Sequence, residues 1–245
     1  MIFSKSRKLL AYLKILQSDP AELRVSLVTQ KKLLHAAQSL HAKVYLDRGY
    51  ISAGDLLKSG VISKREDPYQ SHSQYFVVER FVDNTWMVVA AARLILAREG
   101  QGHQSFQTYV HQELEPQYRS LVQALNPDLC AEVSALVKRP GESTQAVLLL
   151  YRRMWQYAVT SNRRIILMSC DVHLFDRLKF LFGPALVKVG PSNHFKGHQV
   201  VPLILEVDRS LKEIKHPRGR FNPIRYQFRR RLSSFMLRGL PPENP

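Results

Sequence analysis

The sequence predicts an α/β (α+β) fold: a mixed, largely antiparallel central sheet that carries one parallel strand pair and has helices on both faces. Three observations lead there. Residues 75–81 and 86–96 are rich in β-branched and aromatic side chains, and Asp83-Asn84 between them supplies turn chemistry, so the two runs form an antiparallel hairpin. Residues 131–137 and 165–170 are apolar strands joined by a stretch, 144–159, with a helical period; one helix between two strands makes them parallel. Residues 185–190 and 200–208 then read as two closing strands around a polar, His-containing turn. Strands and helices alternating in this way place helices against the faces of a sheet.

The elements follow in chain order. Residues 4–17 read as a short basic amphipathic helix closed by Asp19-Pro20. A longer helix is expected over 21–46, where Leu23, Leu27, Leu34, Ala37, Leu40 and Val44 recur near one face. Gly49, Gly54 and Gly60 mark a loop-rich passage that ends in Lys64-Arg65-Glu66-Asp67-Pro68. After the hairpin, 106–126 reads as helical with a break at Pro116. In the parallel unit, Lys138-Arg139-Pro140-Gly141-Glu142-Ser143 is a tight basic loop. Asp171 caps a helix over 173–182, and Gly183 ends it. From Arg209 to Arg238, ten Lys or Arg meet one acid, Glu213, while Ile224, Phe228, Leu232, Phe235 and Met236 recur at helical spacing. The chain thus divides into a basic N-terminal helix (1–22), one domain (23–210) and a basic amphipathic C-terminal tail (211–245). The tail's apolar face has three candidate partners: the core, an anionic membrane, or an acidic protein.

Charge narrows the partners. Thirty-six Lys and Arg against twenty Asp and Glu give the 245 residues a net charge of +16, which favours an acidic partner or surface. No apolar run approaches the roughly 20 residues that span a bilayer, and Arg93 interrupts the best stretch, 86–97. Cys130 and Cys170 both fall on strands and read as reduced, buried thiols, which fits a cytoplasmic protein; through its tail it would be peripheral on the inner membrane face. The nine histidines are scattered without a zinc-site spacing, so no metal is expected. No helix-turn-helix, zinc-finger or aromatic RNA platform is visible, which weighs against nucleic acid as partner.

Several residues in this order resemble the Gcn5-related acyltransferase superfamily, and within it the N-acyl amino acid synthase and autoinducer-synthase branch. Glu66-Asp67-Pro68-Tyr69 before Tyr75-Phe76-Val77-Val78 resembles that branch's acidic loop and first long strand. Val89-Ala90-Ala91-Ala92-Arg93-Leu94-Ile95 resembles its small-residue strand, and Ala131-Glu132-Val133-Ser134-Ala135-Leu136-Val137 its Glu-hydrophobic-Ser strand. Cys170-Asp171-Val172-His173 with Phe180-Leu181-Phe182-Gly183 resembles its last strand-helix crossover. The likeness spans roughly residues 27–208. It implies the acyl-CoA N-acyltransferase fold, with a splayed parallel strand pair that holds a thioester arm. Autoinducer synthases usually carry a second acid where this chain has Gln70 and an Arg where it has Ala135, which puts amino-acid N-acylation ahead of lactone formation. The acetyltransferase pyrophosphate loop is only half present in Lys138-Arg139-Pro140-Gly141-Glu142-Ser143, which weighs against coenzyme A and for an acyl carrier protein, and no tightly bound cofactor is expected. The acyl donor implied is the phosphopantetheine of acyl carrier protein, or CoA.

The expected activity is therefore an N-acyltransferase that moves a medium or long fatty acyl chain to the α-amine of an amino acid. An acyl-homoserine-lactone-type synthase is the alternative within the branch. A basic nucleic-acid- or membrane-binding module without catalysis is the alternative outside it. In the catalytic set, Glu132 on a buried strand suits a general base or an amine orienter, and equally a structural ion pair. Ser134 lies beside a bulge whose backbone N–H would face the thioester oxygen. Arg93 would clamp the substrate carboxylate, or else pair with Glu132 or Asp67. Asp67, Tyr69, Leu136 and Cys170 are the substrate-binding candidates. Lys138, Arg139, Gly141, Ser143, Arg152 and Arg153 would meet the donor, with acyl carrier protein docking by complementary charge.

Overall fold

A computed structural model of the chain describes residues 16, 19–195, 197–216 and 223–241. The helix expected over 4–17 lies outside the described residues except for Leu16. Among the described residues, eight strands form one sheet: β1 Leu23–Leu27, β2 Ser73–Val82, β3 Thr85–Leu96, β4 Cys130–Lys138, β5 Ile165–Asp171, β6 Leu186–Lys188, β7 Asn193–Phe195 and β8 His198–Glu206. Their spatial order is β1-β2-β3-β4-β5-β8-β6, with β7 also pairing β8. The β4–β5 pair is parallel and the other described pairs are antiparallel. The helices are α1 Lys31–Asp47, α2 Gln107–His111, α3 Pro116–Gln123, α4 Thr144–Thr160, α5 Val172–Phe182, α6 Val207–Lys215 and α7 Pro223–Leu237.

The hairpin and the parallel unit form where the sequence places them. Asp83 (φ 47°) and Asn84 (φ 62°) take the left-handed pair of a type I′ turn, whose twist matches that of the strands it joins. Ser143 caps α4 by accepting from the Ala146 N–H, and Asp171 caps α5 by accepting from the His173 N–H at 2.8 Å. Gly183 ends α5 at φ 62°. Pro116 opens α3, where its missing N–H costs nothing.

The helix expected from residue 21 starts only at Lys31, because 23–27 is the edge strand β1. Its register pairs Leu23 to Leu27 with Arg80 to Phe76 of β2. Leu23, Val25 and Leu27 pack into the core while Arg24 turns to Glu79, so a two-residue period overrides the helical one. The turn expected between the closing strands also holds a short strand, β7.

The sheet's two faces are covered differently. On one, α4 to α7 pack over Phe76, Ala92, Leu94, Ile166 and Leu203 to form the main core, with Trp155 at its centre. Helix α7 contributes Phe228, Leu232, Phe235 and Met236 to that core. Its apolar stripe is thereby used up in packing, and the membrane-surface reading of the tail loses the feature it needed. On the other face, α1 covers Tyr75, Val77, Ala91 and Val137, and the α2–α3 segment covers Ile95, Cys130, Leu167 and Ile204. A row of polar side chains lies between these two apolar clusters.

Candidate active site

Strands β4 and β5 begin together and then part. They pair from Cys130–Ile165 to Val133–Met168 and stop, although β4 runs on to Lys138 and β5 to Asp171. The cause lies in β4. Its register with β3 slips between Ala91 and Arg93, and Ala135 sits at φ 54°, so β4 carries one extra residue there. Such a bulge bends its strand and frees a ladder group. A wedge results, flanked by residues 134–138 and 169–171.

The polar row crosses the sheet at the point of the wedge. Tyr75 is registered with Arg93 and Arg93 with Ser134; Ser169 is the first β5 residue beyond the last pair. Arg93 is 2% exposed and holds Asp67 with both terminal nitrogens, Nη1 to Oδ2 at 2.6 Å and Nη2 to Oδ1 at 2.9 Å. Nη1 also donates to the Tyr75 hydroxyl at 3.2 Å, and Nη2 reaches the Ser134 Oγ at 3.5 Å. Burial alone would lower the Arg93 pKa; the charge of Asp67 overrides it and holds the guanidinium above its usual range. Of the two roles expected for Arg93, the structure thus favours the ion pair with Asp67, because that fork is already occupied.

Glu132 is as deeply buried as Arg93. Both its oxygens accept from the Thr108 N–H at 3.1 Å, and Oε1 accepts from the Thr108 Oγ1 at 2.8 Å. Thr108 Oγ1 in turn meets Ser169 Oγ at 3.0 Å. Loss of water pushes the Glu132 carboxyl up to about 7, against the opposing effects of the Thr108 hydrogen bonds and the Arg93 charge. A buried carboxyl that titrates near neutrality can take and return protons. Nearby, Tyr45 is driven up to about 12 by burial, with the Arg93 charge opposing. Edge-to-face rings continue from Tyr45 through Tyr50 to His198 at the start of β8.

The remaining candidates divide. Tyr69 stands by the row, its hydroxyl 3.4 Å from the His111 Nε2. Leu136 and Cys170 turn to the opposite face and pack with the main core. Burial, with Asp171 adding to it, pushes the Cys170 thiol up to about 12, so it is an apolar liner and not a nucleophile. Lys138 donates to the Glu142 carbonyl, Gly141 takes the left-handed φ of 78°, and Arg139 lies exposed beside Met87. Arg152 is not on this surface. It is buried, paired with Asp19 at 2.6 Å and 2.9 Å, and stacked on the Phe235 ring. Its neighbour Arg153 is half-buried. The reason is helical phase: Arg152 shares the core-facing side of α4 with Leu148, Leu149 and Trp155.

Thr108 and Ser169 were missed by sequence reasoning. For Ser169 a signal existed: the two-residue period of β5 puts it, with Leu167, on the Glu132 face. For Thr108 there was none, because it reaches Glu132 through tertiary packing of the five-residue α2.

Solved structures share this architecture. The AHL synthase LasI superposes with a TM-score of 0.57 at 15% identity, covering 77% of this chain and 91% of its own. The CoA-dependent acyl-homoserine lactone synthase MesI gives 0.54 at 16%, covering 86% and 95%. FeeM, an N-acyl amino acid synthase from uncultured soil microbes, gives 0.54 at 12%, covering 78% and 95%. No protein-family model and no curated protein matches the chain in sequence. The fold is the Gcn5-related acyltransferase fold that the motifs implied.

Proposed function

We propose that the chain is an N-acyltransferase that moves a fatty acyl group from a phosphopantetheine thioester to the α-amine of an amino acid. The observation that carries this reading is the wedge. Past Val133 and Met168 the facing edges of β4 and β5 lack each other's hydrogen bonds, and a buried carboxyl stands one residue behind the opening. A pantetheine arm lying between them would gain backbone hydrogen bonds in place of a missing strand. The structural neighbours, synthases of acyl-homoserine lactones and of an N-acyl amino acid, support the same chemistry.

The amine nitrogen attacks the thioester carbonyl carbon, the N–C bond forms, and the C–S bond breaks with departure of the thiolate. The carbonyl oxygen accepts from a backbone N–H freed at the Ala135 bulge while negative charge builds on it. Glu132 receives the amine proton. Arg93, fixed by Asp67, acts by charge and favours ionised Glu132. Leu136, Met168 and Cys170, on the other side of the wedge, offer the acyl chain an apolar path into the main core. Holding the two reactants in register contributes most, on the order of 7–11 kcal/mol. At the mouth, the loop that leads into α4, with Lys138, Arg139, Gly141 and Ser143, would meet the donor's phosphate, and exposed Arg139 an acidic carrier protein.

The test is mass spectrometry of products from the purified chain. Acyl-CoAs and acyl carrier protein thioesters of several lengths are offered with the amino acids, and separately with S-adenosylmethionine. An N-acyl amino acid is the expected product. A lactone formed from S-adenosylmethionine would favour the autoinducer reading, and no acyl transfer from any donor would refute both.

A further inference from the structure

Glu132 is 2% exposed and sits one residue behind the opening, walled off by the groups that hold it. A base so placed cannot touch an amine that lies in the wedge. Its hydroxyl neighbours supply a path, and the direction of that path is forced. An ionised carboxylate only accepts, so the Thr108 Oγ1, 2.8 Å from Oε1, must spend its single proton on Glu132. Thr108 Oγ1 then has only lone pairs for Ser169 Oγ, 3.0 Å away, and Ser169 must be the donor in that contact. With its proton committed inward, Ser169 Oγ keeps acceptor capacity. The residue is half-buried and stands where β5 leaves β4. Each hydroxyl in the chain points its proton towards Glu132.

We propose that Ser169 is a catalytic residue: it takes the proton of the attacking amine and passes it through Thr108 to Glu132. The inference rests on the acyl-transfer reading above. The amine proton bonds to Ser169 Oγ as the Ser169 proton moves to Thr108 Oγ1 and the Thr108 proton to Glu132 Oε1. One proton crosses and neither hydroxyl is left charged. Run in reverse, the same chain delivers that proton to the departing thiolate as the C–S bond breaks, leaving a thiol and an ionised Glu132. The relay therefore serves as base and then as acid. Helix α5, Val172–Phe182, carries no Ser, Thr or Tyr, so β5 supplies the hydroxyl that serves as acid. Ser169 touches the reacting nitrogen, whereas Thr108 is a positioning and relay residue.

The experiment compares Ser169→Ala, Ser169→Thr, Thr108→Val and Thr108→Ser with the parent chain. It reads single-turnover transfer rates at saturating donor and acceptor, KM for both, and rates in mixtures of H2O and D2O. General acid–base catalysis is worth about 10²–10⁴-fold, so S169A and T108V are expected to slow transfer about 100-fold with KM within about threefold. S169T and T108S, which keep the hydroxyl, recover to within about fivefold of the parent. The parent's rate bends with deuterium fraction because several protons move, and S169A loses that curvature. An S169A rate within threefold of an active parent overturns the relay but leaves acyl transfer standing. So does an equal loss in S169A and S169T. A parent chain that transfers no acyl group from any donor removes the function itself, and the relay with it.

Discussion

Replacing Asp67 by Asn tests the polar row most directly. Arg93 is 2% exposed and Asp67 is 6% exposed, and two hydrogen bonds of 2.6 Å and 2.9 Å join them. With the carboxylate neutralised, the guanidinium stays charged and out of water, facing an amide that answers one of its forks at most. Breaking a buried pair in this way costs about 3–5 kcal/mol. For a chain of this size each kcal/mol is about 2–4 °C, so the melting temperature should fall by roughly 6–20 °C. Urea unfolding of D67N supplies the free energy, and the double variant D67L/R93M supplies the control. Removing both charges should recover a large part of the loss, because the expense lies in the orphaned ion. A D67N cost below about 1 kcal/mol, or a double variant as poor as the two single losses added together, would refute the reasoning.

Further outcomes are expected at Glu132, at the two arginines and at two glycines. Glu132 has a folded pKa raised to about 7 from 4.5, so the folded state binds more protons than the unfolded one between those values. Its contribution to stability is therefore fully present below pH 4.5 and lost as pH rises through 7, by roughly 3 kcal/mol, and Glu132→Gln should flatten that slope in urea titrations. Transfer runs the other way and should rise through pH 7 as the carboxyl ionises. Arg139→Glu should slow transfer from carrier protein several-fold more than from CoA without moving the melting temperature. Arg152→Glu, set in the core beside Asp19, should cost about 2 kcal/mol or more, roughly 4–8 °C, measured by calorimetry. Gly190→Ala would place a methyl 1.9 Å from the Glu113 carbonyl oxygen and should destabilise by about 1–3 kcal/mol in thermal melts. Gly49→Ala, which meets open space, should lose only the strain of its φ of 71°.

What was legible in the sequence is what short-range chemistry decides. Asp83-Asn84 fixes a hairpin within four residues, and Asp171 and Gly183 bracket α5 by local hydrogen bonding, so the hairpin and the βαβ unit could be read directly. Strand β1 escaped because its partner is β2, some 50 residues on, and Leu23 and Leu27 satisfy a helical spacing as well as an alternating one. Arg152 escaped for a related reason. Its carboxylate partner, Asp19, lies 133 residues away, and nothing near α4 tells a buried arginine from a solvated one. In the candidate site, Glu132, Arg93 and Asp67 could be picked out by residue type. How they divide the work could not, since that follows from α2 laying Thr108 across the carboxyl.

Helix α7 gives the chain an order of assembly during synthesis. Phe228, Leu232, Phe235 and Met236 complete the core against α4, and Phe228 leaves the ribosome roughly 70 residues after α4 ends at Thr160. At about 5–20 residues per second, the nascent protein spends several seconds with an apolar helical flank bare to water. Until α7 arrives, the core that Trp155 shares with it stays incomplete on that side.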